Sequence, residues 1–428
     1  MKAPPTNSRA AATHLLRRVL QKRQLLEEVL DPELKGLSPR DRTLARAITS
    51  TTLRHLGVID ALIDKMLDRP LPEKAMELRN ILRIGITQIL FLNIPSHAAV
   101  HDTVELVPAG SKHKGLVNAL LRRTDRQGEK LLSKIDVARA NTPDWLWNSW
   151  KSQYGEETTR MIAAAHLVEA ELDISVKSDP EKWKPVLEAK LLPTGTLRRE
   201  TTALLIDLPG FKDGDWWVQD AAAALPVKLF GDISGKLIID LCAAPGGKTA
   251  QLAAAGANVI ALDRSKGRLK RLTENMNRLN LPVTIEVSDA EVFSPEEEPD
   301  GVLLDAPCSS TGTLRRHPDV AYLKSQDDVE KLSQLQTRLL DSASRVLKPG
   351  GVLVYSVCSL QSEEGEAQIA ALLERNATLE RVPILAEEIG GAAELINPDG
   401  DLRCLPFHLG GMDGFFAARL RKLSGPSA

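Results

Sequence analysis

The chain of 428 residues is long enough for two or three domains, and its 43% hydrophobic and 26% charged residues are ordinary for a globular protein. It has no apolar run of 18 residues, and its first residues lack the apolar core of a signal peptide, so we expect neither a membrane span nor export. Four cysteines in a chain of this length do not suggest a disulfide framework, which favours a reducing, cytoplasmic location.

The net charge of −2 conceals a difference between the two parts of the chain. Residues 1–140 carry 24 Lys and Arg against 15 Asp and Glu, a net charge of +9, whereas the remainder carries 31 against 42, a net charge of −11. A basic amino-terminal part is typical of a module that binds a polyanion. A solvated basic helical surface would have the same composition, so the charge alone leaves both interpretations open.

Residues 8–123 predict a bundle of helices, because leucine, isoleucine and valine recur there at helical spacing. Ser38 followed by Pro39 predicts the cap and first turn of one helix. The strongly apolar stretch Met76–Phe91 predicts the central helix of the bundle.

Three stretches of this region resemble the NusB family of RNA-binding helical domains. After an arginine-rich first helix come Leu-Ser-Pro-Arg-Asp-Arg at 37–42, the apolar run Ile81–Leu92, and Leu-Val-Asn-Ala-Leu-Leu-Arg at 116–122. The resemblance covers about 130 residues. It implies that residues 1–140 form a NusB-like helical domain that binds RNA.

Residues 141–232 differ in character and predict a small α/β linking subdomain. The patterns at Leu172–Val176 and Leu204–Leu208 predict strands. All six tryptophans lie between Trp145 and Trp217. Such a set of aromatic residues could stack on bases, but core or domain-interface tryptophans are the commoner explanation.

Residues 233–428 alternate strands with helices, which predicts a parallel, doubly wound, Rossmann-like sheet. The predicted strands are Leu237–Leu241, Asn258–Asp263, Val283–Val287, Asp300–Leu304 and Gly351–Val357. In such a sheet the ligand and the chemistry belong at the carboxyl ends of the strands.

The first of these strands leads through a glycine-bearing turn, Ala243–Gly247, into a helix. This geometry brings the backbone close to a ligand, although the spacing matches neither a phosphate loop nor G-x-G-x-x-G. Asp263 ends the second strand, 23 positions after Asp240. A carboxylate at that point can accept hydrogen bonds from ribose hydroxyls, so the pattern predicts nucleoside binding, with a helix cap as the alternative.

Two cysteines, Cys308 and Cys358, closely follow the fourth and fifth predicted strands, and each precedes a serine. In the usual topology the two strands are neighbours, so the thiols should lie side by side. A buried cysteine is often only a small hydrophobic residue. Their position at the ligand edge favours a catalytic role for at least one of them.

Three motifs closely resemble those of the RNA cytosine-5 methyltransferases, which use S-adenosylmethionine. They are Asp-Leu-Cys-Ala-Ala-Pro-Gly-Gly-Lys-Thr at 240–249, Asp-Ala-Pro-Cys-Ser-Ser-Thr-Gly at 305–312 and Tyr-Ser-Val-Cys-Ser at 355–359. Joined to the NusB-like region, they resemble the RsmB (Fmu/Sun) family, which methylates C5 of cytidine in bacterial small-subunit (16S) ribosomal RNA. Two departures are Val357, where the family usually has Thr, and Phe407, which separates a Pro and a His that the family pairs.

The resemblance implies a role for each reacting group. Cys358 is the nucleophile that adds to cytosine C6 and so activates C5, and Cys308 helps to release the product. Asp305, in its protonated form, donates a hydrogen bond to cytosine N3, and Lys248 favours the thiolate or orients the base. Because Pro-Cys is also the nucleophile pattern of DNA cytosine-5 methyltransferases, the residues alone leave the two cysteine roles open.

The resemblance also implies the cofactor site, a target base that is unpaired or extruded, and RNA held by the helical domain. The residues expected to bind S-adenosylmethionine are Cys242, Ala243, Ala244, Pro245, Gly246, Gly247, Lys248, Asp263, Arg268, Asp289 and Asp305. We expect no metal, no membrane, a monomer, and 16S ribosomal RNA that is free or in an early assembly particle. His317 and His408 are interpreted as structural or RNA-contacting residues.

Two other functions remain open from the sequence. A methyltransferase acting on an amino group should carry Asn/Asp-Pro-Pro-aromatic after the fourth strand, where this chain has Asp-Ala-Pro-Cys at 305–308. A non-catalytic RNA-binding or assembly factor should have lost an acidic strand end or a cysteine, and all of these are present.

Overall fold

The computed structural model describes residues 7–200 and 205–424, which form two compact units. The first unit contains the described residues up to Val168 together with Leu314–Ser325. The second contains the rest of the described chain. Within these described ranges, no helix is both long enough and apolar enough to cross a membrane.

The first unit is a helical bundle, as the sequence predicts. Its helices before residue 168 are α1 Ser8–Lys22, α2 Leu26–Leu34, α3 Pro39–Arg54, α4 Leu56–Met66, α5 Met76–Leu90, α6 Ser96–Val104, α7 His113–Leu132, α8 Val137–Ala140 and α9 Asp144–His166. Helix α5 is central, because it packs against α1, α3, α4, α6 and α7. The predicted cap is present: the Ser38 hydroxyl accepts a hydrogen bond from the Asp41 N–H (3.2 Å), and Pro39 is the first residue of α3.

A segment from the second half of the chain, Leu314–Ser325, packs within this helical unit. The Leu26 N–H donates to Asp319 Oδ2 (2.9 Å), and Arg54 Nη1 donates to the Arg315 carbonyl oxygen (2.8 Å). The helical unit therefore includes residues from the second half of the sequence.

The second unit opens with a four-stranded antiparallel sheet in the order β2-β3-β1-β4. Its strands are β1 Leu172–Val176, β2 Lys190–Leu191, β3 Leu197–Arg199 and β4 Trp216–Val218. The prediction of a strand at Leu204–Leu208 is wrong for the residues of this stretch that the structure describes. Leu205–Asp207 form a 3₁₀ turn directly before the Pro209-Gly210 turn, and Leu204 lies outside the described residues.

Four of the six tryptophans are core residues. Trp147, Trp150, Trp216 and Trp217 are each at most 6% exposed, so they cannot present a ring face to a base. The structure therefore supports the packing interpretation for these four.

The second sheet of this unit has eight strands, with the path β10-β12-β9-β8-β5-β6-β7 and β11 paired to β12. The strands are β5 Leu237–Asp240, β6 Asn258–Asp263, β7 Thr284–Val287, β8 Gly301–Asp305, β9 Val352–Val357, β10 Leu379–Arg381, β11 Leu402–Cys404 and β12 Phe415–Lys422. Strands β5 to β9 are parallel, as predicted. The sheet also contains strands that the sequence pattern does not predict, since β12 lies antiparallel to β9, β10 and β11.

Helices cover both faces of the large sheet. The remaining helices of the chain are α10 Pro180–Val186, α11 Leu225–Lys228, α12 Gly247–Ala254, α13 Lys266–Leu279, α14 Val320–Leu323, α15 Gln326–Val346 and α16 Glu366–Arg375, of which α14 belongs to the first unit. Successive residues of β5 face opposite layers: Ile238 packs in one cluster with Leu252 of α12, and Ile239 in another with Leu340 of α15. Burial on both faces explains the continuous apolar run of this strand.

Candidate active site

The glycine turn lies at the carboxyl end of β5, where the sequence places it. Gly246 has φ +105°, a left-handed conformation that favours glycine, and a Cβ added there would lie 3.0 Å from Leu272 Cγ. Helix α12 begins at the next residue, so its first N–H groups face the edge at which the parallel strands end. The glycine therefore lets the turn pack against α13 while the start of α12 stays at this edge.

Asp263 ends β6 beside this turn and is only 4% exposed. Its Oδ1 accepts a hydrogen bond from the Ser265 N–H (2.9 Å), whereas Oδ2 is buried without a hydrogen-bond partner. Arg268 has its guanidinium 3.2 Å from that oxygen and also donates to the Ala244 carbonyl oxygen, so it ties the glycine turn to the end of β6. Beside this ion pair, Oδ2 keeps lone pairs that can accept hydrogen bonds from ribose hydroxyls.

Asp289 follows the end of β7, next to β6 in the sheet, and its side chain is exposed. Its Oδ1 accepts a hydrogen bond from the Glu291 N–H (3.0 Å), which forms a local turn. The structure therefore brings Asp289 to the same edge as Asp263, as predicted, and leaves its other oxygen open.

Asp240, the last residue of β5, was absent from the predicted set of site residues. It is 1% exposed, and the Thr249 hydroxyl donates to its Oδ2 (2.7 Å), while Oδ1 is buried without a partner. Burial raises the pKa of Asp240 from its ordinary value to about 7. Its position at the end of the strand before the glycine turn is a sequence signal for a site residue, of the same kind as the position of Asp263 at the end of β6.

Asp305, at the end of β8, lies at the centre of a polar cluster. Lys248 Nζ donates to its Oδ2 (2.7 Å), and the Ser356 hydroxyl donates to its Oδ1 (2.8 Å). The Lys248 ammonium also lies 4.9 Å from the centre of the Phe415 ring, in a cation–π contact. Lys248 and Asp305, two of the predicted site residues, are thus in direct contact, and Phe415 on strand β12 lies beside them.

The two cysteines lie side by side, as the topology predicts. Asp305 of β8 and Ser356 of β9 are in register, and the Sγ atoms of Cys308 and Cys358 are 3.5 Å apart. The Ser310 hydroxyl lies 3.6 Å from Cys358 Sγ and 3.9 Å from Cys308 Sγ.

Their mutual hydrogen bond makes the two thiols unequal. It lowers the pKa of Cys358, whereas the same bond and burial raise the pKa of Cys308. The arrangement therefore supports a thiolate at Cys358 with a protonated Cys308 beside it. Neither other cysteine has this character, because burial raises the pKa of both Cys242 and Cys404.

One buried carboxylate next to the cysteines was not predicted. Glu364 is fully buried and hydrogen-bonds to Ser309 and Ser359, the residues that directly follow the two cysteines. No local sequence signal identifies it, because its partners lie 55 and 5 positions away and its neighbours in sequence form an ordinary acidic turn.

The remaining predicted residues are not part of this cluster. His317 belongs to the segment in the helical unit, and His408 Nδ1 accepts a hydrogen bond from the Leu405 N–H (3.2 Å) in its own turn. Burial lowers the pKa of both histidines. Val357 is fully buried in the core, so its departure from Thr affects packing rather than the reacting groups.

Comparison with known proteins gives matches to both parts of the chain. A family model described as 16S rRNA methyltransferase RsmB/F matches residues 231–421, and a model of the NusB family matches residues 6–126. A ribosomal RNA small subunit methyltransferase B from Shigella boydii is 35% identical over 435 residues, which cover 97% of this chain and 99% of that one.

Solved structures share the fold. The crystal structure of PH0851 has a TM-score of 0.73 and 25% identity, covering 99% of this chain and 100% of that chain. A methyltransferase homolog protein from Pyrococcus horikoshii has a TM-score of 0.54 and 28% identity, covering 64% of this chain and 94% of its own.

Proposed function

Since the chain belongs to the RsmB/F family of 16S ribosomal RNA methyltransferases, we propose that it methylates C5 of a cytidine through a covalent bond between Cys358 and C6. Methyl transfer from S-adenosylmethionine to ribosomal RNA is the activity of this family, and the protein is such an enzyme. The observation that supports the cytosine-C5 chemistry is the pair of thiols, 3.5 Å apart, at the strand ends beside Asp305.

Cytosine C5 is a weak nucleophile, and addition of the Cys358 thiolate to the base makes it a stronger one. When its sulfur bonds to C6, the C5–C6 electron pair becomes available at C5, which then forms the new carbon–carbon bond. S-adenosylmethionine supplies the electrophilic methyl group, carried on a positively charged sulfur. The hydrogen bond between the two thiols lowers the pKa of Cys358, which favours the thiolate needed for the first step.

Asp305 acts at the opposite side of the base. In protonated form it donates a hydrogen bond to N3, where negative charge develops when the thiolate adds. Both of its oxygens accept hydrogen bonds in the structure, from Lys248 and Ser356. The Lys248 ammonium, 2.7 Å from Oδ2, is therefore placed to supply the proton as the base enters.

Cys308 assists release of the methylated base. Water takes the C5 proton, the C5–H electron pair re-forms the C5–C6 double bond, and the bond between sulfur and C6 breaks with its electron pair returning to Cys358. The Cys308 thiol then donates a hydrogen bond to the departing thiolate, across the 3.5 Å that separates the two sulfurs in the resting site. The raised pKa of Cys308 keeps that proton available.

The acidic residues at the same edge support the proposed cofactor site. The turn Cys242–Gly247 would lie along S-adenosylmethionine, Asp263 Oδ2 would accept from its ribose, and Asp289 and Asp305 would lie toward the rest of the molecule. Arg268, which is bound to the turn and to Asp263, would hold this site in shape.

The substrate is 16S ribosomal RNA, free or in an early assembly particle, and the protein acts on it as a cytoplasmic monomer. The net charge of +9 on residues 1–140 supports a phosphate-binding role for the helical unit. The target cytidine must leave any helix to reach the paired thiols.

The proposal is tested with ribosomal RNA from a strain that lacks the enzyme, S-adenosylmethionine and denaturing gels. Cys308→Ala should accumulate a protein–RNA adduct, because the adduct forms but is released slowly. Cys358→Ala should be inactive and form no adduct. Cys404→Ala, which changes a buried thiol on strand β11, is the control and should behave as wild type.

Two outcomes would contradict the proposal. An adduct in Cys358→Ala and none in Cys308→Ala would exchange the roles of the two cysteines. Absence of 5-methylcytosine from RNA treated with the wild-type protein would reject the cytosine-C5 chemistry.

A further inference from the structure

Glu364 connects the two loops that carry the cysteines. It ends a 3₁₀ turn after β9 and is fully buried. Its carboxylate accepts hydrogen bonds from the Ser309 N–H (2.8 Å) and the Ser309 hydroxyl on one loop, and from the Ser359 hydroxyl (2.5 Å) on the other. One side chain thus joins the residues next to Cys308 and Cys358.

Gln336 of α15 extends this connection to the other side of Cys308. Its amide donates to Glu364 Oε1 (3.1 Å) and to the Pro307 carbonyl oxygen (3.0 Å). The backbone on both sides of Cys308 is therefore fixed, through Glu364 and Gln336. The Tyr355 hydroxyl donates to the Glu364 carbonyl oxygen (2.6 Å), which fixes the backbone of Glu364 itself.

We propose that Glu364 is a positioning residue that holds the Cys308 loop against the end of β9 and so keeps the two sulfurs 3.5 Å apart. The inference rests on the proposed function, in which both thiols act on one cytosine. Glu364 does not touch the base or the cofactor in this reaction.

The charge of Glu364 supports the same assignment. Together with the hydrogen bond to Cys358 and burial, which are the larger causes, it raises the pKa of Cys308. The residue that sets the distance between the sulfurs therefore also helps to keep Cys308 protonated.

Two conservative variants separate the effect of the length of the Glu364 side chain from the effect of its charge. A carboxylate offers four acceptor positions for the four hydrogen bonds observed. Glu364→Gln keeps the length, and the Ser309 and Ser359 hydroxyls can rotate to accept from the new amide. Glu364→Asp keeps the charge but is one methylene shorter, so it cannot reach both loops.

The experiment measures disulfide formation between Cys308 and Cys358 in the full chain, without RNA or S-adenosylmethionine. The oxidant is diamide, whose N=N bond takes two electrons and two protons from the thiols as the S–S bond forms. The linked peptide is quantified by mass spectrometry after rapid acid quenching. Because no substrate is present, this readout is independent of whether the proposed reaction is correct.

The expected results differ between the variants. Glu364→Gln should cross-link at least as fast as wild type, and Glu364→Asp should be slower by about tenfold or more, because small displacements of reacting groups reduce rates strongly. Ser359→Ala removes one hydrogen-bond donor to Glu364 and should also cross-link more slowly than wild type. It provides the test if Glu364→Asp does not fold. Glu374→Asp, the same change at an exposed glutamate of α16, should match wild type.

The methyl-transfer readout separates positioning from binding. Glu364→Asp should lower kcat for methyl transfer and leave the KM for S-adenosylmethionine unchanged. Wild-type cross-linking in folded Glu364→Asp or Ser359→Ala, or slow cross-linking in Glu364→Gln, would overturn the positioning role. Cross-linking as expected without methylation of RNA would reject the proposed function and leave the geometric role of Glu364 intact.

Discussion

The buried carboxyl of Asp240 makes the stability of the protein depend on pH in a specific way. Its pKa is raised by burial from an ordinary 3.8 to about 7 in the folded protein. Between these two values the folded state binds more protons than the unfolded state, so the free energy of unfolding falls as the pH rises. Above pH 7 the free energy of unfolding falls no further on account of Asp240, because its carboxyl is then ionised in both the folded and the unfolded state.

The change in the free energy of unfolding follows from the size of the pKa shift of Asp240. At 1.36 kcal/mol per pKa unit, the whole shift corresponds to about 4 kcal/mol, of which about 3 kcal/mol lies between pH 5 and pH 8. Asp240→Asn removes the titration, and its amide oxygen can still accept the hydrogen bond from Thr249. We therefore expect the variant to gain stability relative to wild type as the pH rises.

Thermal unfolding of both proteins at pH 5, 6, 7 and 8, without S-adenosylmethionine, measures this gain. For a unit of this size, about 3 kcal/mol corresponds to roughly 6–12 °C in the difference between the two melting temperatures. Asp289→Asn, which removes an exposed carboxyl at the same sheet edge, is the control. A difference for Asp240→Asn that stays constant from pH 5 to pH 8 would refute the reasoning.

Two further substitutions test the active-site geometry. Lys248→Met removes the ammonium that donates to Asp305 over 2.7 Å and should lower kcat for methyl transfer roughly 100-fold or more. The rate is measured with labelled S-adenosylmethionine, and a kcat near that of wild type would exclude Lys248 from the chemistry. Gly312→Ala places a Cβ 1.8 Å from the Gly414 carbonyl oxygen, so the Cys308 loop must move and methyl transfer should fall at least about tenfold. Gly267→Ala, whose Cβ meets only a side-chain oxygen at 3.9 Å, is its control, and equal activity of the two variants would contradict the close packing of the loop.

The sequence determined those features that depend on neighbouring residues. The cap at Ser38, the parallel strand β6 at Asn258–Asp263 and the glycine turn after β5 were all predicted, because capping, strand burial and positive φ each leave a local pattern. The juxtaposition of Cys308 and Cys358 was also predictable, since adjacent parallel strands end at one edge.

Other features were decided by contacts between distant residues. Strand β12 pairs antiparallel with β9 across more than 50 positions, and Leu314–Ser325 packs among helices formed by the first part of the chain. Glu364 acquires its role from Ser309, 55 positions away. No local pattern marks such partners, because an acidic turn or a short apolar strand looks the same whatever it contacts. Only the tertiary structure, which brings these segments together and excludes water from between them, determines what they do.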